Sequence, residues 1–336
     1  MNAPLSVSVV MPVLNEERHL AEAVAAVLDQ DYPGAIEVVL ALGPSTDGTD
    51  EVAARLHADD PRVRTVRNPS GRTPAALNLA LAASANPIVV RVDGHALLES
   101  HYVSTAVELL QRTGAANVGG VMAAEGTTTF ERAVAAAMTS VLGVGASAFH
   151  VGGDDGPADT VYLGVFRREW LDRVGGYDER FVRAQDWEMN HRIRELGGLV
   201  WFSPRLRVSY RPRATVRALS RQYRDYGRWR RVVSRTHRGT INLRYLAPPV
   251  AVLGVALGTL VAAVGAVAGV PAAAWALVLP GGYLAVITLG SLVVGRAEPI
   301  AVRATLPAVL ATMHLSWGWG FLTSPGSIVP RALNES

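Results

Sequence analysis

Residues 245–295, YLAPPVAVLGVALGTLVAAVGAVAGVPAAAWALVLPGGYLAVITLGSLVVG, contain no charged side chain, and this stretch divides the chain between two solvents. A helix needs about 20 apolar residues to cross about 30 Å of hydrocarbon, so the stretch has room for two spans, with Gly269, Val270 and Pro271 as a tight connection. The expected spans cover 246–269 and 272–295. A third covers 304–323, with Arg303 just before it and His314, Trp317 and Trp319 inside or near one end. Upstream lies the pattern of a water-soluble α/β enzyme. The expected organisation is a catalytic domain over 1–204, a basic juxtamembrane segment over 205–245, three spans within 246–323 and a tail over 324–336. The competing reading is a buried hairpin of a soluble protein, but soluble helices seldom run so long without a charge.

The charge distribution points the same way. The overall charge is +3, yet residues 205–244 hold thirteen Arg against the single acid Asp225, and the first 204 residues carry −10. A basic collar next to a span suits anionic lipid headgroups or a lipid phosphate, and by the positive-inside rule it sets that flank in the cytoplasm. Because the arginines abut an apolar segment, they are assigned to membrane lipids and not to nucleic acid. Residues 1–13 lack the basic and long apolar regions of a signal peptide, so the head is expected to stay cytoplasmic. With no cysteine, disulfides, thiolate metal sites and cysteine nucleophiles are excluded.

Along the head, a β-branched run over 5–13 precedes Leu20, Ala23, Val24, Val27 and Leu28, spaced for one face of a helix. Strands follow over 36–42, 63–66 and 87–92. Between them come a helix over 51–57 capped by Thr49 or Asp50 and another from Thr73 or Pro74 to 83. This β-α-β-α-β-α-β order predicts a doubly wound, mostly parallel sheet with ligands at the carboxyl ends of its strands, where Asn15, the loop 45–49 and Asp93 fall. Farther on, the expected elements are helices over 101–112, 130–142, 168–174 and 186–196, strands over 117–123 and 161–166, and a mobile Gly- and Asp-rich loop over 143–159.

Two places carry chemistry. Asp93-Gly94-His95 ends a buried strand, and its carboxylate and imidazole suit Mg²⁺ or Mn²⁺ held mainly by substrate phosphates. Taken alone, a strand-end Asp also serves as a turn residue. Asp186, in Gln185-Asp186-Trp187-Glu188, begins a helix, where it is either an N-cap or a general base toward an alcohol, with Glu188 as the fallback. No phosphate-binding Gly-x-x-x-x-Gly-Lys loop, no Gly-x-Gly-x-x-Gly after the first strand and no Gly-x-Ser-x-Gly elbow is present.

Val7-Ser8-Val9-Val10-Met11-Pro12-Val13-Leu14-Asn15-Glu16-Glu17, Ser45-Thr46-Asp47-Gly48-Thr49, Arg91-Val92-Asp93-Gly94-His95, Gly175-Gly176-Tyr177-Asp178 and Gln185-Asp186-Trp187-Glu188, in that order, resemble the motifs of inverting family 2 glycosyltransferases. The last of these motifs is followed by Arg221-Gln222-Tyr223 and Tyr226-Gly227-Arg228-Trp229, and this form is most similar to the succinoglycan type. The resemblance covers about 5–245 and implies a GT-A fold, Rossmann-like, followed by C-terminal transmembrane helices. It implies that Pro12, Asn15 and Glu16 line a nucleoside pocket, that Asp47 supports it, and that Asp93 contacts ribose or metal and His95 the metal. Asp186 would deprotonate the acceptor hydroxyl. Trp187, Glu188, Gln222, Tyr223, Arg228 and Trp229 fall on the acceptor side, where Tyr223, Tyr226 and Trp229 are expected to stack on sugars.

Two departures refine the expectation. Leu42-Gly43-Pro44 stands where family members commonly carry an acidic pair, so a uridine donor is a preference only. Gln222 and Arg228-Trp229 are not the compact Gln-x-x-Arg-Trp of processive synthases, which favours single-sugar addition. The resulting expectation is a membrane-anchored, metal-dependent inverting hexosyltransferase moving one sugar from a nucleotide sugar to a lipid-linked glycan. The alternatives are a polyprenyl-phosphate sugar synthase and a catalytically silent nucleotide-binding scaffold.

Overall fold

A computed structural model describes residues 3–326; the expected tail lies outside the described residues from 327 onward. The chain forms two compact units, one from residues 3–123 and 148–210, the other from 124–147 and 211–326.

The first unit opens with β1 (Val7–Val13), α1 (Leu20–Leu28), β2 (Ile36–Leu42), α2 (Thr49–Asp59), β3 (Val63–Arg67), α3 (Thr73–Ala82) and β4 (Ile88–Arg91). Next come β5 (Leu97–Leu98), α4 (Tyr102–Thr113) and β6 (Asn117–Ala124). Two helices of the other unit intervene, α5 (Thr129–Met138) and α6 (Val141–Val144). The chain then returns as α7 (Ala148–Val151), β7 (Gly156–Pro157), β8 (Tyr162–Arg167), α8 (Arg168–Val174), α9 (Gln185–Glu195) and β9 (Val200–Tyr210).

The strands form one sheet in the order β3-β2-β1-β4-β8-β6-β9-β5, with β7 on β9. The first four are parallel, and β8 runs antiparallel to both β4 and β6. Central parallel strands are covered on both faces and therefore read as mainly apolar runs; β1 and β2 each carry one polar exception, Ser8 and Glu37, and the Ser8 hydroxyl donates to Glu37 at 2.6 Å. Leu20, Ala23, Val24 and Val27 of α1 join Tyr102, Val103, Ala106 and Leu110 of α4 in the core on one face. Ala76, Leu77 and Ala80 of α3 join Met189 and Ile193 of α9 on the other. Pro12 is tolerated in β1 because the Val10 carbonyl, on the same edge, accepts the last β4 bond, from Val92 N at 3.1 Å. No ladder donor is needed beyond it.

The structure departs from the expectations in four places within this scaffold. Thr49 is the first residue of α2, after Gly48, and does not cap it. The Ala-rich helix breaks at Thr139-Ser140, where the Ser140 side chain accepts from Gly143 N to start α6. The stretch 143–159 holds α7 and β7. Finally, β9 is a strand with no counterpart in the sequence reading: Pro204, Arg205 and Arg207 interrupt its apolar run, yet Val200, Phe202, Leu206 and Val208 alternate inward. Arg205 and Arg207, counted with the collar, form the outward face of that strand, and Arg205 pairs with Glu108 at 2.7 Å.

The second unit continues with α10 (Val216–Thr236), α11 (Leu243–Val267), a 3₁₀ turn (Pro271–Leu277) leading into α12 (Val278–Val294), and α13 (Ile300–Leu322). Two segments, Leu243–Val267 and Pro271–Val294, are long and apolar enough to cross a membrane. Leu253, Leu257 and Leu260 of one and Leu284, Leu289 and Leu292 of the other are exposed, an outward apolar surface suited to lipid. Gly258 and Gly265 let the two segments approach closely, since a Cβ at Gly258 would stand 2.5 Å from Ala276 O and one at Gly265 would collide with Ala273 Cβ.

The third expected span, α13, is not among these segments. Its final turns lie along α10: Ser316 Oγ is 2.8 Å from Ser220 Oγ, the Arg224 carbonyl closes on Gly320, and Arg235 donates to Ser324 O at 3.1 Å. Seven arginines lie on α10, and each would cost about 2.5–3.5 kcal/mol at a bilayer centre. Aromatic and guanidinium groups fill this end, with Arg230 and Arg244 over the Tyr245 ring and Tyr245 stacked on Trp317.

The inserted segment 124–147 belongs to this same unit. Thr128 and Glu131 form a capping box at the start of α5. Arg132 pairs with Glu298 at 2.7 Å, and Leu142 O lies 2.8 Å from His314 Nε2.

Candidate active site

The carboxyl ends of β1, β2 and β4 converge. After β1 the backbone of Asn15 turns left-handed, φ +57°, a conformation Asn tolerates better than most residues. Its Oδ1 accepts from Thr46 N at 2.8 Å, and its N–H donates to Ser45 Oγ at 3.1 Å. Next to it, Glu16 N–H donates to Thr49 Oγ1 at 2.7 Å. Asp47 accepts from the Thr49 hydroxyl at 2.5 Å and from Glu17 N at 3.3 Å. The Thr49 hydroxyl, aided by these backbone N–H groups, holds the Asp47 carboxyl below its ordinary value. Asp47 thus fastens the β2 loop to the β1 loop, and its charge is occupied in doing so.

Beyond β4, Ala96 N–H donates to Asp93 O at 2.9 Å, and this turn brings His95 Nδ1 to 2.7 Å from Glu16 Oε1. Glycine is needed between the two, since a Cβ at Gly94 would stand 3.0 Å from Glu16 Cγ. Asp93 Oδ1 accepts from Arg91 Nη2 at 2.9 Å, and Arg91 Nη1 is ion-paired with Asp186 Oδ1. The structure thereby brings together Glu16, Arg91, Asp93, His95 and Asp186.

Asp186 is not a cap. The N-cap of α9 is Ala184, left-handed at φ +61°, and no side chain caps that end. Burial raises the Asp186 carboxyl above the ordinary aspartate value, Arg91 opposing and Asp93 adding to the rise. Glu188, the fallback base, is 1% exposed and paired with Arg192 at 2.7 Å. Arg192 in turn donates to Val174 O and Gly176 O. Trp187 stacks on His191.

Three site residues had no assigned role: Arg91, Tyr177 and Asn78. From α3, Asn78 pins the Gly175-Gly176-Tyr177 turn, accepting from Tyr177 N and donating to Tyr177 O, each at 2.8 Å. Tyr177 is buried, its hydroxyl has no hydrogen-bond partner, and burial pushes its pKa up. Arg91 and Tyr177 stand inside two of the motifs quoted above, and Arg91 is also a charge ending an otherwise apolar strand, but neither signal assigned them a role.

Among the described residues no group of three or more His, Asp or Glu forms a metal cage. Asp93 and His95, an oxygen and a nitrogen donor at one strand end, are the residues that would hold a Mg²⁺ or Mn²⁺, which would neutralise charge on a diphosphate.

Gln222, Tyr223, Arg228 and Trp229 lie on α10 of the second unit. Tyr223 and Trp229, 4% and 8% exposed, have buried rings and no free face for a sugar, which corrects the stacking expected of them. Tyr226 is 41% exposed, and Gln222 Nε2 donates to its hydroxyl at 2.9 Å.

A parallel-to-antiparallel α/β sheet with acids at its strand ends defines a GT-A-like glycosyltransferase. The chain belongs to glycosyltransferase family 2, whose description, Glycosyl transferase family 2, matches residues 8–175. It is 35% identical over 315 residues to the succinoglycan biosynthesis protein ExoA of Rhizobium meliloti (strain 1021), covering 93% of each chain. A relative from Methanococcus voltae, dolichyl N-acetyl-alpha-D-glucosaminyl phosphate 3-beta-D-2,3-diacetamido-2,3-dideoxy-beta-D-glucuronosyltransferase, is 23% identical over 251 residues, 72% of this chain and 77% of that one. In fold the chain is similar to the mannosyltransferase PcManGT from Pyrobaculum calidifontis, solved with GDP-Man and Mn²⁺. The TM-score is 0.57 at 20% identity, over 93% of this chain and 86% of that one.

Proposed function

We propose that this glycosyltransferase moves one sugar, with inversion, from a nucleotide sugar, UDP-linked by preference, to a hydroxyl of a lipid-linked glycan during cell-surface polysaccharide synthesis. The observation that carries the reading is the single guanidinium of Arg91 touching both Asp93 and Asp186, which brings a diphosphate-side acid and a base into one site. The name of the Rhizobium relative supports polysaccharide synthesis, and the dolichyl phosphate in the name of the Methanococcus relative supports a lipid-linked acceptor.

In this reading Pro12, Asn15, Glu16 and Asp93 receive the nucleoside diphosphate, and Asp47 keeps their loops in place. Asp186 takes the proton of the acceptor hydroxyl. The acceptor oxygen bonds to the anomeric carbon as the opposite bond to the diphosphate breaks, the bonding electrons leaving with the phosphate. A divalent cation at Asp93 and His95 supplies charge neutralisation to that leaving group. A base that deprotonates an alcohol favours a hydroxyl acceptor over a lipid phosphate, which needs little such help.

The enzyme sits in the cell membrane as a multi-pass protein, its apolar hairpin of α11 and α12 inserted and its catalytic unit cytoplasmic, with the arginines of α10 at the lipid headgroups. Gln222, Tyr226 and Arg228 are the acceptor-side candidates.

A panel of UDP- and GDP-sugars with Mn²⁺ or Mg²⁺ tests this by thermal shift and by sugar release. One nucleotide sugar should raise the melting temperature selectively and be hydrolysed slowly, water replacing the acceptor. Absence of both effects across the panel would leave a catalytically silent scaffold.

A further inference from the structure

We infer that Arg91 is the positioning residue of this site, setting the base Asp186 at a fixed separation from the diphosphate-side Asp93. The inference rests on the reading of Asp186 as base.

The cost of the residue is the first argument. Arg91 ends β4, a strand whose other residues are Ile88, Val89 and Val90, and it is 5% exposed. Removing a guanidinium from water costs several kcal/mol, and an ion pair seldom returns more than an apolar side chain of the same volume would. Stability alone gives no reason for an arginine there.

Geometry is the second. The two terminal nitrogens of one planar group reach two carboxylates from segments far apart in sequence, Nη2 to Asp93 Oδ1 at 2.9 Å and Nη1 to Asp186 Oδ1. A planar fork fixes the direction and spacing of both partners, whereas a lysine ammonium is a point charge on a flexible stem. Its root is equally fixed, because Arg91 pairs with Val10 in the sheet.

Electrostatics is the third. Arg91 places one positive charge between the carboxylates of Asp93 and Asp186 while leaving each a second oxygen. Tyr177, buried beside the cluster, feels the charges of Asp186, Arg91 and Asp93. Arg91 itself needs to touch neither substrate.

The test uses the full chain in lipid nanodiscs and the nucleotide sugar selected by the panel above, with water as acceptor. Arg91→Lys should keep the melting temperature and leave donor KM within about 3-fold while kcat falls about 10²-fold, the cost of a base displaced by roughly an ångström. In an Asp186→Asn background the same change should lower kcat by less than about 3-fold, because the effect passes through Asp186. Asp186→Glu keeps the carboxylate but moves it by one methylene, and should lose kcat to a similar degree even if the arginine variants do not fold.

Wild-type kcat in Arg91→Lys or Asp186→Glu would overturn the inference. So would losses that multiply in the double variant, or a donor KM that rises with the fall in kcat, either of which places Arg91 on the donor directly. Wild-type turnover in Asp186→Asn alone would instead remove the base reading, and the inference with it.

Discussion

Replacing Asp186 by Asn tests the base reading most directly, because it removes a proton acceptor and almost nothing else. Asn keeps an oxygen that can accept from Arg91. The side chain is 32% exposed but its partner Arg91 only 5%, and Arg91 keeps Asp93 and the Asn oxygen, so the fold should lose about 1–3 kcal/mol, a drop of at most about 12 °C in melting temperature. Turnover should fall by about 10²–10⁴, the range for a lost general base, with donor affinity near wild type. The wild-type enzyme should lose kcat as pH falls through a value above the ordinary aspartate 3.8, since burial raises this carboxyl, and the Asn variant should lack that limb. For stability the sign is opposite: a raised folded-state pKa means the folded protein binds this proton more tightly, so the contribution is present at low pH and lost as pH rises through the raised value. Calorimetry, donor titration and a kcat–pH series separate these effects. Equal losses of donor affinity and turnover, or an unchanged acid limb in the variant, would refute the reasoning.

Other perturbations reach other parts of the molecule. Asp93→Ala and His95→Ala should weaken nucleotide-sugar binding in Mn²⁺ but little in chelator, by titration; equal effects in both would remove the metal role. Gly227 faces the Trp317 carbonyl, and an added Cβ would also stand 2.9 Å from Phe321 N. Gly227→Val should therefore destabilise the α10–α13 pair by about 1–3 kcal/mol despite a better helix propensity, and an unchanged melting temperature in nanodiscs would contradict that packing. With two crossings, reporters fused at Gly239 and Ser336 should fall on the same side of the membrane; opposite sides would restore the third span.

The parts legible in the sequence are those where one physical cause dominates. Val7–Val13 and Ile36–Leu42 were readable because a strand buried on both faces must be mainly apolar, and each has a single polar interruption, Ser8 and Glu37. The strand Val200–Tyr210 was not, since Pro204 and two arginines mask an alternation that only a one-sided strand would show. At the site, Asp93 and Asp186 stood out through their motifs. Glu188 could have been set aside on geometry alone: two residues on a helix differ by about 200°, so it turns inward when Asp186 turns to the cleft. Arg91 stood in its motif without a role, because a lone arginine reads as a surface cation until the sheet is seen to pair it with Val10 and bury it. Tyr223 and Trp229 were misplaced for the converse reason, since an aromatic in an arginine-rich helix reads as exposed until Gly227 and Gly320 bring α13 against it.

Among the described residues, the segment 124–147 means that the polypeptide passes from one unit to the other three times, at 123/124, 147/148 and 210/211. A gene fragment ending at residue 210 would not encode a self-sufficient catalytic cassette. It would still include α5, whose Ala133, Val134, Ala137 and Met138 are buried in the full chain, stripped of the α13 surface that covers them. Such a fragment would be sticky at one excursion while correctly folded elsewhere. Detaching the enzyme from its membrane part, or exchanging that part for another, therefore takes two edits at once: a stop after β9 and a short bridge from β6 to α7.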